Sequence, residues 1–310
     1  MTKKTSSSIY SALRDNAKNF LQEIVTPNLE DEAIVNGYFS DYRYNIFGGK
    51  MEKIFIDMFN DGDGNELATK ASAFHSSSML AYNFFHWINE ERELKVTFQD
   101  GETISYNKVI FEVKIPVLRR SKANMDIVLR NSKGAWLFIE SKFTEFMNLE
   151  SFSISDTYKQ KPNSYYNPKI GEKWTDFISN YDTTKKNQYW PGIKQEMCHL
   201  IGLTNWITAG IEIYKDNLFS EKYKKNGDVR FINIVFEPNK HRFPNEHRKM
   251  EEYQERYINL HEQLRNKGLI PEGLQMEFMT YSQIWPNIKQ SNLPEGLENY
   301  LNEHYMKLAE

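Results

Sequence analysis

Two carboxylates and a lysine gather at the end of one apolar stretch of this chain. Residues 124–143 read Asn-Met-Asp-Ile-Val-Leu-Arg-Asn-Ser-Lys-Gly-Ala-Trp-Leu-Phe-Ile-Glu-Ser-Lys-Phe. Residues 125–129 form a short apolar run interrupted by Asp126, and residues 135–142 stay apolar until Glu140 and Lys142. Ser132-Lys133-Gly134 between them has the polar, glycine-bearing composition of a hairpin connection. Side chains alternate along a strand, so Glu140 and Lys142 point the same way. Carboxylates are hard oxygen donors suited to magnesium, which keeps several waters and takes one or two carboxylates plus substrate phosphate. A lysine two residues on can orient or deprotonate the attacking water and offset charge growing on phosphorus. This is equipment for metal-assisted hydrolysis of a phosphodiester. On spacing alone, a surface hairpin ending in a Glu–Lys pair is an equal reading.

Strand register sets a condition. A loop of odd length, such as Ser132–Gly134, pairs Asn131 with Ala135 and brings Asp126 opposite Glu140. An even loop puts Asp126 across from Ile139, and the two acids then face opposite sides unless a bulge intervenes. The metal-site reading therefore predicts an odd loop or a bulge.

The wider pattern resembles the PD-(D/E)XK nuclease superfamily, which includes many type II restriction endonucleases. The match is Asp126, then about a dozen residues, then Leu137-Phe138-Ile139-Glu140-Ser141-Lys142, with Met125 where a proline usually precedes the aspartate. It covers about 120 residues, from the helix near Ser76 to the helix near Gln195. The resemblance implies an α/β fold with a central mixed β-sheet flanked by helices. It also implies magnesium-dependent strand cleavage, with manganese able to substitute. Asp126 and Glu140 would be the metal ligands and Lys142 the catalytic lysine. Such nucleases often carry a further glutamate near the metal, which points to Glu112, whose other reading is an exposed strand position. A helix after the catalytic strand packs beside the site in this fold, which points to Gln195. Similar Ser-Ser-plus-Asn helices precede the sheet in some members, which adds Ser76, Ser77 and Asn83 as nucleic-acid contacts. DNA is the implied substrate and RNA the alternative. A homodimer is expected if two strands are cut symmetrically.

The elements that must position these residues follow from periodicity. Residues 9–25, 51–59, 79–89, 192–208, 246–267 and 293–308 have helical spacing, and one of Ser76, Ser77 or Ser78 caps the third. Residues 93–98, 108–117, 229–236 and 275–280 read as further strands. Along 108–117, alternation places Val109, Phe111 and Val113 on one face and Ile110, Glu112 and Lys114 on the other. Arg119, Arg120 and Lys122 form a basic loop leading to Asp126 and suited to a phosphate backbone, or simply solvated. Residues 148–189 read as a long loop of low periodicity, in which Lys159, Lys161 and neighbouring tyrosines suit phosphate contact and base stacking. His199, four residues from Gln195 on the same face, reads as a satisfied core or surface histidine. Asp61-Gly-Asp63-Gly-Asn65 imitates a calcium-loop start, but Glu66 and Ser72 stand where glycine and glutamate are required. No Gly-x-Ser-x-Gly elbow surrounds the serine run.

Composition bounds the rest. The chain has 310 residues, 40% hydrophobic and 14% aromatic, enough for a sizeable core. It reads as one elaborated domain with a core near 50–210 and helical additions at both ends, the alternative being a separate unit over 216–310. The single cysteine, Cys198, excludes an internal disulfide and any multi-cysteine zinc site and fits a reducing cytoplasm. No run of 18 apolar residues predicts a membrane span, and no apolar stretch follows the basic N-terminus as in a secretory signal. Net charge is −3, so contacts to nucleic acid must come from local patches. The chain carries no Gly-x-x-x-x-Gly-Lys-Ser/Thr, hence no phosphate loop of an ATP motor. The rival function is a binding module that keeps the fold without catalysis; against it, Asp126, Glu140 and Lys142 are all present.

Overall fold

Apolar runs bounded by turn residues become the strands of one mixed sheet, and amphipathic runs cover its two faces. The computed structural model describes residues 8–24, 34–35, 38–62, 66–147, 154–160, 162–181, 192–215, 219–224 and 227–309. In chain order the elements are α1 (Ile9–Ile24), β1 (Ile34–Val35), β2 (Tyr38–Phe39), α2 (Lys53–Asn60), α3 (Glu66–Thr69), α4 (Ser77–Phe85), β3 (Leu94–Thr97), β4 (Thr103–Tyr106), β5 (Lys108–Leu118), β6 (Ser121–Arg130) and β7 (Trp136–Lys142). They continue with α5 (Asp156–Gln160), α6 (Pro168–Asn180), α7 (Ile193–Ala209), β8 (Ile213–Lys215), β9 (Phe219–Glu221), β10 (Val229–Val235), α8 (Pro244–Asn266), β11 (Leu274–Thr280), α9 (Tyr281–Lys289) and α10 (Leu297–His304).

The large sheet has seven strands in the order β11-β10-β7-β6-β5-β8-β9. Strands β5, β6 and β7 are an antiparallel meander. Strands β10 and β11 add in parallel beside β7, joined to each other through the crossover helix α8. Every residue of β7 and β10 is buried, as expected of strands covered on both faces. Helix α7 covers the face that carries Trp136 and Phe138, with the Trp206 ring edge-on to both at 5.3 Å. It approaches closely because residue 202 is glycine: a Cβ there would stand 2.3 Å from Ile115 Cγ2. Helices α4 and α9 cover the other face, where Ser141 Oγ lies 2.8 Å from the Tyr281 hydroxyl and donates to the Ser77 carbonyl at 3.3 Å. This is a mixed sheet flanked by helices, the restriction-endonuclease-like architecture. Among the described residues no helix is long and apolar enough to cross a membrane.

Two expectations are corrected. Strict alternation along β5 fails: Phe111 packs on Phe55 and Phe59, whereas Ile115, four residues on, meets Gly202 of α7. The switch lies at Glu112, whose φ of 55° breaks the extended backbone. The expected loop over 148–189 holds α5 and α6 within its described part. Helix α6 starts where Asn167 accepts from the Lys169 amide at 3.1 Å and Pro168 occupies the first turn, and it buries Trp174, Phe177 and Ile178 at helical spacing. Helix α9 follows β11 directly, with Thr280 and Gln283 forming a capping box.

Candidate active site

Register puts the acids in a row. Strands β6 and β7 pair Ile127 with Ile139 and Val128 with Phe138, so the next step carries Asp126 opposite Glu140. The Asn131 amide donates to the Ala135 carbonyl at 3.2 Å, which closes the odd loop that the metal-site reading requires. On the other side, Phe111 pairs with Ile127 and Val113 with Met125, which leaves Glu112 opposite Asp126. Glu112, Asp126 and Glu140 thus line up across three neighbouring strands, and Asn233 of β10 continues the row beside Glu140. Glu112 is the one non-glycine with positive φ among the described residues. That conformation disfavours a residue with a Cβ, and such strain concentrates at functional sites. Its carboxylate passes Gly62, where a Cβ would come within 3.1 Å of Glu112 Oε2.

Lys142 closes the row. Its Nζ donates to Glu140 Oε1 and, at 3.0 Å, to Gln195 Oε1. Helix α7 supplies Gln195, and its N-terminal neighbour Gly192, at φ 77°, passes Lys142 so closely that a Cβ would lie 3.4 Å from Lys142 Cε. Asp126 Oδ2 accepts from the Ser141 amide at 2.8 Å. Glu112, Glu140 and Lys142 are buried, and Asp126 is half-buried at the mouth of the site. A cavity of about 380 Å³ opens over Asp126 and Lys142 and is also lined by Glu66, Lys70, Ser76 and Ser77. A second, of about 630 Å³, opens over Glu112 and Asp126, with Glu66, Lys122 and His199 in its wall. Asp126, Glu66 and Gln195 line both, so the two cavities adjoin there.

Burial dominates the electrostatics. It pushes the Asp126 carboxyl up to about 7, with the charge of Glu140 adding to it. Burial likewise raises Glu140 to about 7 against the pull of Lys142. Glu112 is held well above the usual carboxylate range by burial, then by Asp126 and Glu66. Burial works against the charge on Lys142, but Glu140 and Asp126 outweigh it and hold the ammonium well above its ordinary value. Burial lowers His199 and keeps its imidazole neutral.

The donor set fits a divalent cation. Among the described residues no group of three or more His, Cys, Asp or Glu side chains is placed to hold a metal ion. Magnesium does not need one, since water and phosphate complete its shell. Glu140 Oε2 is buried with no hydrogen-bond partner among the described residues, an arrangement that is costly unless a positive charge meets it. Carboxylates stacked in a row and pushed toward their neutral forms are what a cation would relieve.

The sequence of residues 39–306 matches the family model described as restriction endonuclease associating with ARP. The chain belongs to this family. No curated protein and no solved structure matches it.

Of the other residues picked from sequence, some reach the candidate site and some do not. Ser76 caps α4, accepting from the Met79 amide at 3.3 Å, and lines the cleft with Ser77. Asn83 does not reach it. It is fully buried, accepts from the Phe47 amide and donates to the Asn45 carbonyl and the Tyr305 hydroxyl, tying α4 to the C-terminal helices. Arg119 and Arg120 line a separate cavity with Tyr158, whereas Lys122 lines the acid cleft, its ammonium 4.9 Å from the Tyr214 ring centre. Lys159 sits on α5, and Lys161 lies outside the described residues. Two further residues stand beside the row: Glu66, which is not among those picked from sequence, and His199, which reads from sequence as a satisfied histidine. Glu66, which accepts from Ser78 at 3.2 Å and from Lys70 at 2.8 Å, carries no local signal beyond spoiling the calcium-loop pattern. His199 is no ordinary core histidine, for its Nδ1 lies 3.4 Å from Glu140 Oε2; its spacing from Gln195 was the available clue.

Proposed function

We propose that the protein is a magnesium-dependent endonuclease of the PD-(D/E)XK type, hydrolysing DNA phosphodiester bonds in restriction or defence. The observation that carries this reading is the row Glu112–Asp126–Glu140, closed by Lys142: Glu112, Asp126 and Lys142 line the cavities, and Glu140 is buried and hydrogen-bonded to Lys142. Membership in a restriction-endonuclease family supports DNA as the substrate. In this reading Asp126 and Glu140 hold the cation, and Glu112 adds a third carboxylate from the neighbouring strand. A bound divalent cation supplies a Lewis acid to the phosphate and makes a nearby water easier to deprotonate. Lys142 stays an ammonium at neutral pH, which favours charge stabilisation of the phosphate oxygens over a role as base. Gln195 fixes that ammonium from the far side. Ser76, Ser77 and Lys122 on the cleft wall serve substrate contacts. The family description supports ARP as a protein partner. Symmetric cutting of two strands calls for two sites, supplied by a homodimer or within that assembly.

The test is plasmid cleavage by the wild type, Asp126→Asn and Lys142→Ala, each with magnesium and with chelator. Magnesium-dependent fragments from the wild type alone support the reading. Equal cleavage by all three places the activity elsewhere. No cleavage of DNA in magnesium or manganese leaves the binding module or an RNA substrate, and the same assay on RNA separates them.

A further inference from the structure

The two oxygens of Glu140 have different neighbours. Oε1 accepts from Lys142, while Oε2 lies 3.4 Å from His199 Nδ1. The contact is sealed, with side-chain exposures of 0% for His199 and 2% for Glu140. His199 Nε2 is 2.8 Å from the Asn124 carbonyl oxygen. A carbonyl only accepts, so Nε2 carries the proton, and in the neutral ring Nδ1 presents a lone pair. That lone pair faces a carboxylate oxygen, and neither atom has a hydrogen-bond partner among the described residues. Two acceptors facing each other away from water are costly unless a proton or a metal ion lies between them. Two ligands of one divalent ion, each about 2.1 Å from it, stand roughly 3.0 to 3.4 Å apart for bond angles between right-angled and tetrahedral. The observed separation falls in that range.

We propose that His199 Nδ1 is a nitrogen ligand to the cation held by Glu140, giving the site mixed oxygen and nitrogen character. The inference rests on the metal-dependent reading above and goes beyond it. It gives α7 a double role: Gln195 fixes Lys142, and one turn later His199 meets the carboxylate paired with that lysine. It also bears on metal choice. A carboxylate–water site suits magnesium, whereas imidazole raises affinity for manganese, cobalt or zinc relative to magnesium.

Pulsed electron paramagnetic resonance on the full chain loaded with Mn2+ tests this without turnover. Electron spin-echo envelope modulation detects a nitrogen bonded to the ion. The expected result is strong 14N modulation in the wild type, replaced by the 15N pattern after labelling with 15N-histidine. The modulation is lost in His199→Asn and kept in His75→Asn, whose histidine also lines the cleft. His199→Asn also binds Mn2+ about 10- to 100-fold more weakly, as for groups that support a metal site. The labelling experiment stands even if His199→Asn fails to fold. Bound Mn2+ without 14N coupling, or coupling that survives in His199→Asn, overturns the proposal and leaves the nuclease reading intact. A wild type that binds no Mn2+ overturns both.

Discussion

Lys142 Nζ sits between two oxygens, one from its own strand and one from α7, so its ammonium is placed before any substrate arrives. Lys142→Met keeps the buried stem and removes the charge. We expect single-turnover cleavage to fall by about 10²-fold or more, the scale seen for one pre-placed electrostatic group. Mn2+ affinity should be retained, because the lysine is not a ligand. The acids make a separate prediction about pH. Asp126 and Glu140 have ordinary values of 3.8 and 4.5, and both are raised to about 7. Between about pH 4 and 7 these two carboxyls therefore bind more protons in the fold than in the unfolded chain, and their contribution to metal-free stability falls as pH rises, whereas the buried His86, His199 and His304, all lowered by burial, act in the opposite direction below their ordinary value of 6.5. Cation binding needs the ionised carboxylates, so it strengthens over the same window. Melting curves in chelator should show the Tm of the wild type, taken relative to that of Asp126→Asn, falling from pH 5 to pH 8, with magnesium reversing the fall. A difference between the two proteins that does not change with pH would refute the assignment of Asp126.

At the scale of elements, β5 and α7 are shaped to serve the row. Glu112 holds a backbone conformation that costs of order 1–3 kcal/mol for a residue with a side chain. Glu112→Gly should raise the urea midpoint while lowering cleavage, and Glu112→Gln, which keeps the strain, should recover only the part due to like charge. If Glu112→Gly lowers both, the conformation is not strained and the residue acts through packing. Gly202→Ala tests the other element: its Cβ would meet Ile115 Cγ2 at 2.3 Å, and such overpacking typically costs about 1–3 kcal/mol. The same elements show what was readable from sequence. Asp126 facing Glu140 follows from loop parity alone, because alternation and a short loop leave no freedom. Helix α6 was hidden because Trp174, Phe177 and Ile178 lie among lysines and acids that mask a narrow apolar stripe. The turn at Glu112 is a backbone angle that residue type does not encode. Glu66 comes to the row by packing of α3, a tertiary event with no local trace, and His199 by packing of α7, where its spacing from Gln195 shows only a shared helix face.

At the scale of the molecule, the far end of the sheet has its own charged centre. Arg230 on β10 is 1% exposed, lies 2.9 Å from Asp100 and 3.0 Å from Asp228, pairs with Glu102 and has Glu277 at 3.7 Å, with its guanidinium 4.0 Å from the Phe98 ring centre. It joins the turn between β3 and β4 to β10 and β11, which are strands of the same sheet as Asp126 and Glu140. Residues 229–280 would then unfold together with the meander and not as a separate unit. Asp100 and Glu102 are half-exposed, so solvent screens part of the interaction. The loss on Arg230→Met should lie between the roughly 1 kcal/mol of an exposed pair and the about 3–5 kcal/mol of a broken buried one. Arg230 is three positions along β10 from Asn233, roughly 10 Å from the acid row, so cleavage per folded molecule should be unchanged. Calorimetry should show one transition in both proteins, shifted down in the variant. Two transitions, with only one of them moved by Arg230→Met, would mean that the strands after 216 form a unit of their own. The site would then depend on a docking of two units that ligands or partners can shift.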